Sequence, residues 1–285
     1  MKPAPFHYHA PTTIEEALAT LARLAPDDGR VLAGGQSLVP TMAFRLARPK
    51  HLIDINGVAP LARLSVEDGR LCIGATVRHA AFERPVVKGP LGELLADVVQ
   101  HIAHKPIRAR GPFCGSIAHA DPASEWCLVA AALGGEMVAR SIRGTRVIAA
   151  KDFFDAIMTT ALEDNDLLSE VRLPLLVPDT RFGFYEFNRR AGDFAIAMAL
   201  VTYRLKDLKI IEPHVAIGGV EAFPRRIAEA EAVLDGHVPN ADAFALAADA
   251  AAKAVDPLDD AMNTPEYRRA LVRTVVRRAL ERAAS

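Results

Sequence analysis

The sequence predicts an α+β fold in three consecutive parts, and three observations predict it. Over residues 1–55, short aliphatic runs alternate with one amphipathic helical pattern, as strand–helix–strand units require. Over residues 56–176, strand-length and helix-length runs are interspersed. Over residues 177–285, a group of strands precedes a group of helices. Asn56-Gly57-Val58-Ala59-Pro60 marks the first boundary, and Pro174 to Pro178, with a proline at each end, marks the second. At 285 residues the chain can hold two or three small domains and bury a sizeable core.

The first helix starts at Thr12-Thr13-Ile14-Glu15-Glu16, where Thr13 and Glu16 have capping-box spacing. Ile14, Ala17, Leu18, Leu21 and Ala25 then share one face, and Pro26-Asp27-Asp28-Gly29 ends the helix. Arg30–Ala33 reads as a buried strand entering a glycine turn, and His51–Ile55 as a second strand.

In the middle part, Leu61–Leu64 and Leu71–Ile73 read as strands around Glu67-Asp68-Gly69. Gly74–Ala80 leads into a short helix, and Leu91–His104 reads as one longer helix. A second glycine stretch follows, then a helix over Ala123–Leu133. Glu136–Arg140 and Thr145–Ala149 pair through a turn at Arg143-Gly144, and Asn165–Pro174 closes the part as a strand.

In the last part, Arg181–Arg190, Ile196–Arg204 and Pro213–Gly218 read as neighbouring strands. Ile227–Leu234, Ala241–Val255 and Thr264–Arg282 read as helices. The last helix carries Arg268, Arg269, Arg273, Arg277, Arg278 and Arg282. The chain has a net charge of −1 and no aromatic platform accompanies these arginines, so they read as solvated faces or subunit contacts rather than a nucleic-acid surface.

Composition excludes other classes. Near-neutral charge provides no field for nucleic acid or an anionic membrane. No apolar run approaches the roughly 20 residues of a membrane span. Met1-Lys2-Pro3-Ala4-Pro5-Phe6-His7 has no signal-peptide core, which points to the cytoplasm. Cys72, Cys114 and Cys127 are an odd number without a Cys-x-x-Cys pair, which argues against a disulfide framework. Three cysteines are too few for the four thiolates of a [2Fe–2S] centre.

Two stretches carry the chemistry. Val31-Leu32-Ala33-Gly34-Gly35-Gln36-Ser37-Leu38 runs an aliphatic strand into adjacent glycines and a helix start. Such a turn lets successive N–H groups point into one concavity and the backbone approach a ligand closely, which suits a phosphate or pyrophosphate. An ordinary strand-to-helix turn would have the same residues. Arg110 to Glu125 repeats the theme, with Gly111, Gly115 and Ser116 ahead of a helix. No Gly-x-Gly-x-x-Gly exists, so a Rossmann dinucleotide site is unsupported.

Together these stretches resemble the FAD-binding medium subunits of the molybdenum hydroxylases, the family of the carbon monoxide and xanthine dehydrogenases. The family's Ala-Gly-Gly-Gln/His-Ser is Ala33 to Ser37 here. Its Thr-Ile-Gly-Gly-Asn/Ser-Leu-Ala-His-Ala-Asp-Pro-Ala is Pro112 to Ala123. Its Ile-Gly-Ala-x-x-Arg-His-Ala falls at Ile73 to Ala80, and Gly192-Asp193-Phe194-Ala195 matches a further motif. The motifs lie in order and at the family's spacing, and the resemblance covers nearly the whole chain.

The resemblance implies a two-part FAD-binding region of the PCMH/vanillyl-alcohol-oxidase-like type, residues 1–55 and 56–176, followed by a smaller C-terminal α/β domain, 177–285. It implies FAD clasped between two loops. Ala33, Gly34, Gly35, Gln36, Ser37 and Leu38 would meet it on one side, and Pro112, Phe113, Cys114, Gly115, Ser116 and Ala118 on the other. Ile102 would pack nearby, Glu125 would meet the sugar or adenine portion, and Leu168 and Asp193 are further candidates. It implies partners as well: a large molybdenum-cofactor subunit and a small subunit with [2Fe–2S] clusters, assembled as a dimer of heterotrimers. Electrons would pass from the clusters to FAD here and on to an external acceptor. The chain would not oxidise the substrate alone. Three positions depart from the pattern: Pro112 stands for a usual Thr, Cys114 for a usual Gly, and Ala109 where many relatives have Asn.

His119-Ala120-Asp121 would make a metal pair or acid–base dyad, but no third ligand is spaced nearby. His101 and His104, a turn apart, lack a carboxylate partner. Cys114 reads as a small packed residue rather than a redox thiol, and neither Ser37 nor Ser116 has an evident triad. Two alternatives remain at this point: a stand-alone FAD oxidoreductase of the same fold, and a scaffold subunit with a degenerate flavin site.

Overall fold

The computed structural model describes residues 2–285. The first part is a parallel sheet of β1 (His7–His9), β2 (Gly29–Leu32) and β3 (His51–Asp54), with β3 in the middle. The motif-poor N-terminus gives no sequence signal for β1. It pairs in register with β3, His7 beside His51. Helix α1 (Ile14–Leu24) buries Ala17, Leu21 and Leu24. Its cap differs from the expected box. Thr13 Oγ1 accepts from Glu16 N at 3.1 Å, but the Glu16 carboxylate accepts from Thr12 N at 2.8 Å, one residue early. Helix α2 (Leu38–Ala43) follows the first glycine stretch.

The middle part is an antiparallel sheet in the order β4 (Leu64–Glu67), β5 (Arg70–Gly74), β10 (Leu167–Pro174), β6 (Glu136–Ser141), β7 (Gly144–Ala149). Central β10 has five of its eight residues buried and none exposed, and Val171 lies between Ile73 and Met137. Residues 59–62 form a 3₁₀ turn started by Pro60, so the strand expected at Leu61 begins at Leu64. The helix expected over Leu91–His104 stops at Val98 as α3 (Pro90–Val98). Ala103 takes φ +42°, and α4 (Lys105–Arg108) restarts with Pro106 in its first turn. Apolar spacing alone did not reveal this break. Helices α5 (Phe113–His119) and α6 (Glu125–Leu133) complete the part, with a small hairpin, β8 (Phe154–Ala156) and β9 (Thr159–Thr160), that had not been expected.

The last part is the antiparallel sheet β11 (Arg181–Phe187), β12 (Ala197–Lys206), β13 (Lys209–Gly218), β14 (Arg225–Arg226), with α7 (Ala228–Leu234), α8 (Ala241–Ala254) and α9 (Pro265–Ala284). Helix α9 lies so close to β11 that a Cβ on Gly183 would stand 2.0 Å from the Ala279 carbonyl. Arg268 corrects the solvated reading of the arginines. It is buried, donates to the Ile196 and Gly219 carbonyls, and pairs with Asp260.

Helix α6 joins the middle and last parts. Nearly all its residues are buried, as a helix between two layers requires. It packs against both the middle core and the C-terminal sheet. Gly219 N donates to the Pro122 carbonyl at 2.7 Å, and the His101 ring meets Phe184 edge-on. No helix among the described residues is long and apolar enough to cross a membrane.

Candidate cofactor site

The first glycine stretch leaves β2 and reverses before α2. Gly35 has φ +69°, a conformation a β-branched residue resists. Gln36 Nε2 donates to the Gly34 carbonyl at 2.7 Å and stiffens the turn. Among the described residues, no protein acceptor takes the N–H groups of Gly34, Gly35, Gln36 or Ser37. Ser37 precedes α2 without capping it through its side chain, and Leu38 begins the helix. Consecutive free donors on a turn are an anion nest.

The second stretch corrects the expected loop. Phe113–His119 is already helix α5, with Pro112 at its N-cap. The proline costs no hydrogen bond there, because that N–H would lack a helical partner anyway. Phe113 and Cys114 point into the core and are 0% and 2% exposed. Phe113 stacks on Trp126, and Cys114 Sγ donates to the Ile73 carbonyl at 3.2 Å. Burial pushes the Cys114 thiol well above its ordinary pKa, so it is not a redox thiolate. Gly115 and Ser116 are half-buried and Ala118 is exposed.

The two stretches touch. A Cβ on Gly34 would stand 2.5 Å from both the Arg110 carbonyl oxygen and Pro112 Cδ, and 2.8 Å from Gly111 Cα. Only glycine permits this approach. The backbone is locked from behind as well: His79 N donates to the Gly111 carbonyl and Phe113 N to the Val77 carbonyl, each at 2.9 Å. Trp126 Nε1 donates to His79 Nδ1 at 2.9 Å, which leaves the His79 proton on Nε2, facing Gly111. Burial and neighbouring arginines hold the His79 pKa down to about 4, so the ring is neutral.

Several of these residues were not singled out from sequence. The sequence marks Asn56 only as a boundary and Arg78 only as part of a motif. Asn56 Nδ2 donates to the Ala33 carbonyl at 2.7 Å and its Oδ1 accepts from Arg78, whose other amino group donates to the Arg110 carbonyl. No local pattern marks either residue, because their contacts at the site span 22 to 32 positions of chain.

The remaining candidates are scattered. Ile102 is buried and its carbonyl accepts from Arg108 at 3.0 Å. Leu168 is buried in β10 opposite Ala139. Asp193 is exposed on the β11–β12 loop and borders an open cleft of about 660 Å³ with Phe194, Asp260 and Met262. That loop reaches the middle part where Gly192 packs on the His104 ring. Asp121 Oδ1 accepts from Ala123 N at 2.9 Å in a local turn. No three His, Cys, Asp or Glu side chains among the described residues converge as a metal site.

Glu125 begins α6 almost fully buried. Burial, then the nearby Glu186 and Asp121 carboxylates, push its pKa up to about 8. Glu186 is pushed up to about 7, chiefly by burial. A carboxyl with a raised folded pKa binds protons more tightly when folded. Stability therefore falls as pH rises from about 4.5 through about 8. Glu125→Gln removes that dependence: its gain in melting temperature over the wild type should be larger at pH 8.5 than at pH 5. Equal gains at the two pH values would show that Glu125 ionises normally.

A concave nest of free donors, pressed against a second glycine stretch and lacking a nucleophile–base pair, suits binding of a diphosphate-bearing cofactor. The Gly34 contact and the unpaired N–H groups meet that requirement without a cationic side chain in the loop.

Comparison with known proteins is consistent across the chain. The family model described as the FAD binding domain in molybdopterin dehydrogenase matches residues 4–176, and that of the CO dehydrogenase flavoprotein C-terminal domain matches residues 182–283. The chain is 36% identical to the nicotine 6-hydroxylase medium subunit of Paenarthrobacter nicotinovorans, over 99% of each chain. It is 36% identical to the caffeine dehydrogenase subunit beta of a Pseudomonas species, over 100% of this chain and 96% of the relative. Its structure superposes on a carbon monoxide dehydrogenase chain from Hydrogenophaga pseudoflava with a TM-score of 0.95 at 34% identity, covering 100% and 99% of the two chains.

Proposed function

The chain belongs to the FAD-binding medium subunits of the molybdenum hydroxylase family, and from that premise we propose that it is the electron-exit subunit of such a complex. The contact between the two glycine stretches carries this reading. When bound, the isoalloxazine supplies the redox chemistry. The chain's own residues bind and orient the cofactor. The N–H groups of Gly34, Gly35, Gln36 and Ser37 hold the pyrophosphate. Gly115, Ser116 and Ala118 offer the facing surface, while Phe113 and Cys114 contribute backbone and anchor α5. The family resemblance adds Ile102 and Leu168 beside the cofactor, Glu125 at its sugar or adenine end, and Asp193 on the β11–β12 loop, although they lie apart from the glycine contact.

Its partners in this proposal are a large molybdenum-cofactor subunit and a small iron–sulfur subunit, in a cytoplasmic dimer of heterotrimers. Residues 1–55 and 56–176 divide the cofactor between them, with 177–285 as the third unit. Relatives named for nicotine and for caffeine resemble this chain equally, as expected if a partner selects the substrate.

FAD should be bound non-covalently, since its contacts are backbone donors and no attachment residue is evident. Acid precipitation should release all yellow colour into the supernatant, and the native preparation should carry molybdenum and iron. Colour retained in the pellet would refute the non-covalent reading. A colourless native preparation would favour a scaffold subunit, and flavin without either metal would favour a stand-alone oxidoreductase.

A further inference from the structure

Arg78 belongs to neither glycine stretch but contacts the second. Its backbone belongs to the scaffold of the second stretch: Arg78 bridges Pro112, and the next residue, His79, donates to the Gly111 carbonyl. Its side chain turns toward the first part. One amino group donates to the Arg110 carbonyl and the other to Asn56 Oδ1. Asn56 passes the restraint on, because its Nδ2 donates to the Ala33 carbonyl at 2.7 Å. Asn56 is itself held by Asp54, whose Oδ1 accepts from Asn56 N at 2.9 Å. Ala33 opens the first stretch, and the Arg110 carbonyl is the atom that Gly34 nearly touches. The result is a closed ring: Ala33 to Gly34, across to Arg110, through Arg78 and Asn56, and back to Ala33.

We infer that Arg78 is a positioning residue for the cofactor, setting the separation of the two glycine stretches through Asn56 and the Arg110 carbonyl before any dinucleotide enters. The inference rests on the proposed FAD site. The role needs a planar fork. A guanidinium directs separate N–H groups to two fixed acceptors, whereas the point-like ammonium of lysine lacks that geometry. Without the latch, the free donors of the first stretch remain, but their distance from the second stretch is no longer set, and the cofactor must supply the ordering when it binds.

The test uses the full-length chain in its assembled complex, with flavin removed and FAD titrated back by fluorescence quenching. Arg78→Met, Arg78→Lys and Asn56→Ala should each raise the FAD dissociation constant about tenfold or more, as loss of a charge-assisted hydrogen bond at a preorganised site implies. The double variant Arg78→Met/Asn56→Ala should be no worse than Arg78→Met alone, because both act on one restraint. The melting temperature of the flavin-free complex separates positioning from general stability: it should move little. An Arg78→Met affinity within twofold of wild type would overturn the inference, as would full affinity in Arg78→Lys, which would make charge alone sufficient. If Arg78→Met does not assemble, Asn56→Ala decides by the same twofold criterion. Failure of the wild-type complex to bind FAD would sink the proposed function itself, a result separable from all of these.

Discussion

Gly34→Ala should empty the proposed cofactor site and, in the proposed complex, stop electron delivery to the external acceptor while leaving the upstream centres working. The added Cβ would lie 2.5 Å from the Arg110 carbonyl and from Pro112 Cδ, so the two stretches must separate. The obstruction is backbone and a rigid ring, not the flexible end of a side chain. The donors of the first stretch then lose their set distance from the second, the cofactor must supply the ordering, and FAD content should fall. Gly35→Val should act in the same direction for another reason, since a branched residue must adopt φ +69° there with Val39 Cγ2 only 3.0 Å away. In the proposed complex, molybdenum and iron contents should stay at wild-type values. Substrate should still bleach the iron–sulfur spectrum in a single turnover, and steady-state acceptor reduction should collapse. Stopped-flow spectra of the two complexes provide the comparison. Wild-type turnover in a demonstrably FAD-free complex would remove this chain from the electron path.

Trp126→Ala should be among the most destabilising single substitutions in the chain. Trp126 is fully buried, its ring centroid lies 4.7 Å from Phe113 and 5.4 Å from Phe82, and its indole N–H is the donor to His79. Truncation of a core aromatic costs roughly 3–5 kcal/mol, and an orphaned buried acceptor adds roughly 1–3 kcal/mol. Trp126→Phe refills most of the volume but leaves His79 Nδ1 without its donor, so it should lose only the smaller part. Chemical denaturation followed by far-UV circular dichroism checks the ranking. Equal losses in the two variants would assign the whole effect to the hydrogen bond. Because Phe113 begins α5, the Ala variant should also loosen the second stretch and weaken FAD retention.

Periodicity and punctuation made much of the fold legible. Thr13 capped α1, the aliphatic runs found β2 and β3, and the last three helices lie within two residues of their expected limits. The breaks were less legible because they depend on single residues in their tertiary setting. Ala103 adopts a left-handed conformation that nothing in its side chain advertises. Phe113-Cys114-Gly115 looked like a glycine loop, yet it folds as a helix because its two apolar side chains have a core to enter. At the site, glycines announced the close approach of backbone. The polar residues that hold it, Asn56 and Arg78, make contacts 22 to 32 positions away along the chain, which no local pattern encodes.

The hydrophobic core that begins at Ala17 and Leu21 in α1 continues without interruption through Ile73, Trp126 and Val171 to Met198 and Ala216. The segment bearing the first glycine stretch therefore has no independent interior. Native-state amide exchange should find the strands flanking that stretch, β2 and β3, opening only with the central strand β10 rather than as a separate unit. The same continuity means that a fragment cut after residue 55 forfeits the neighbours its apolar face was built to meet. Heritable rearrangements that shuffle the first stretch into another protein would have to carry the middle sheet with it.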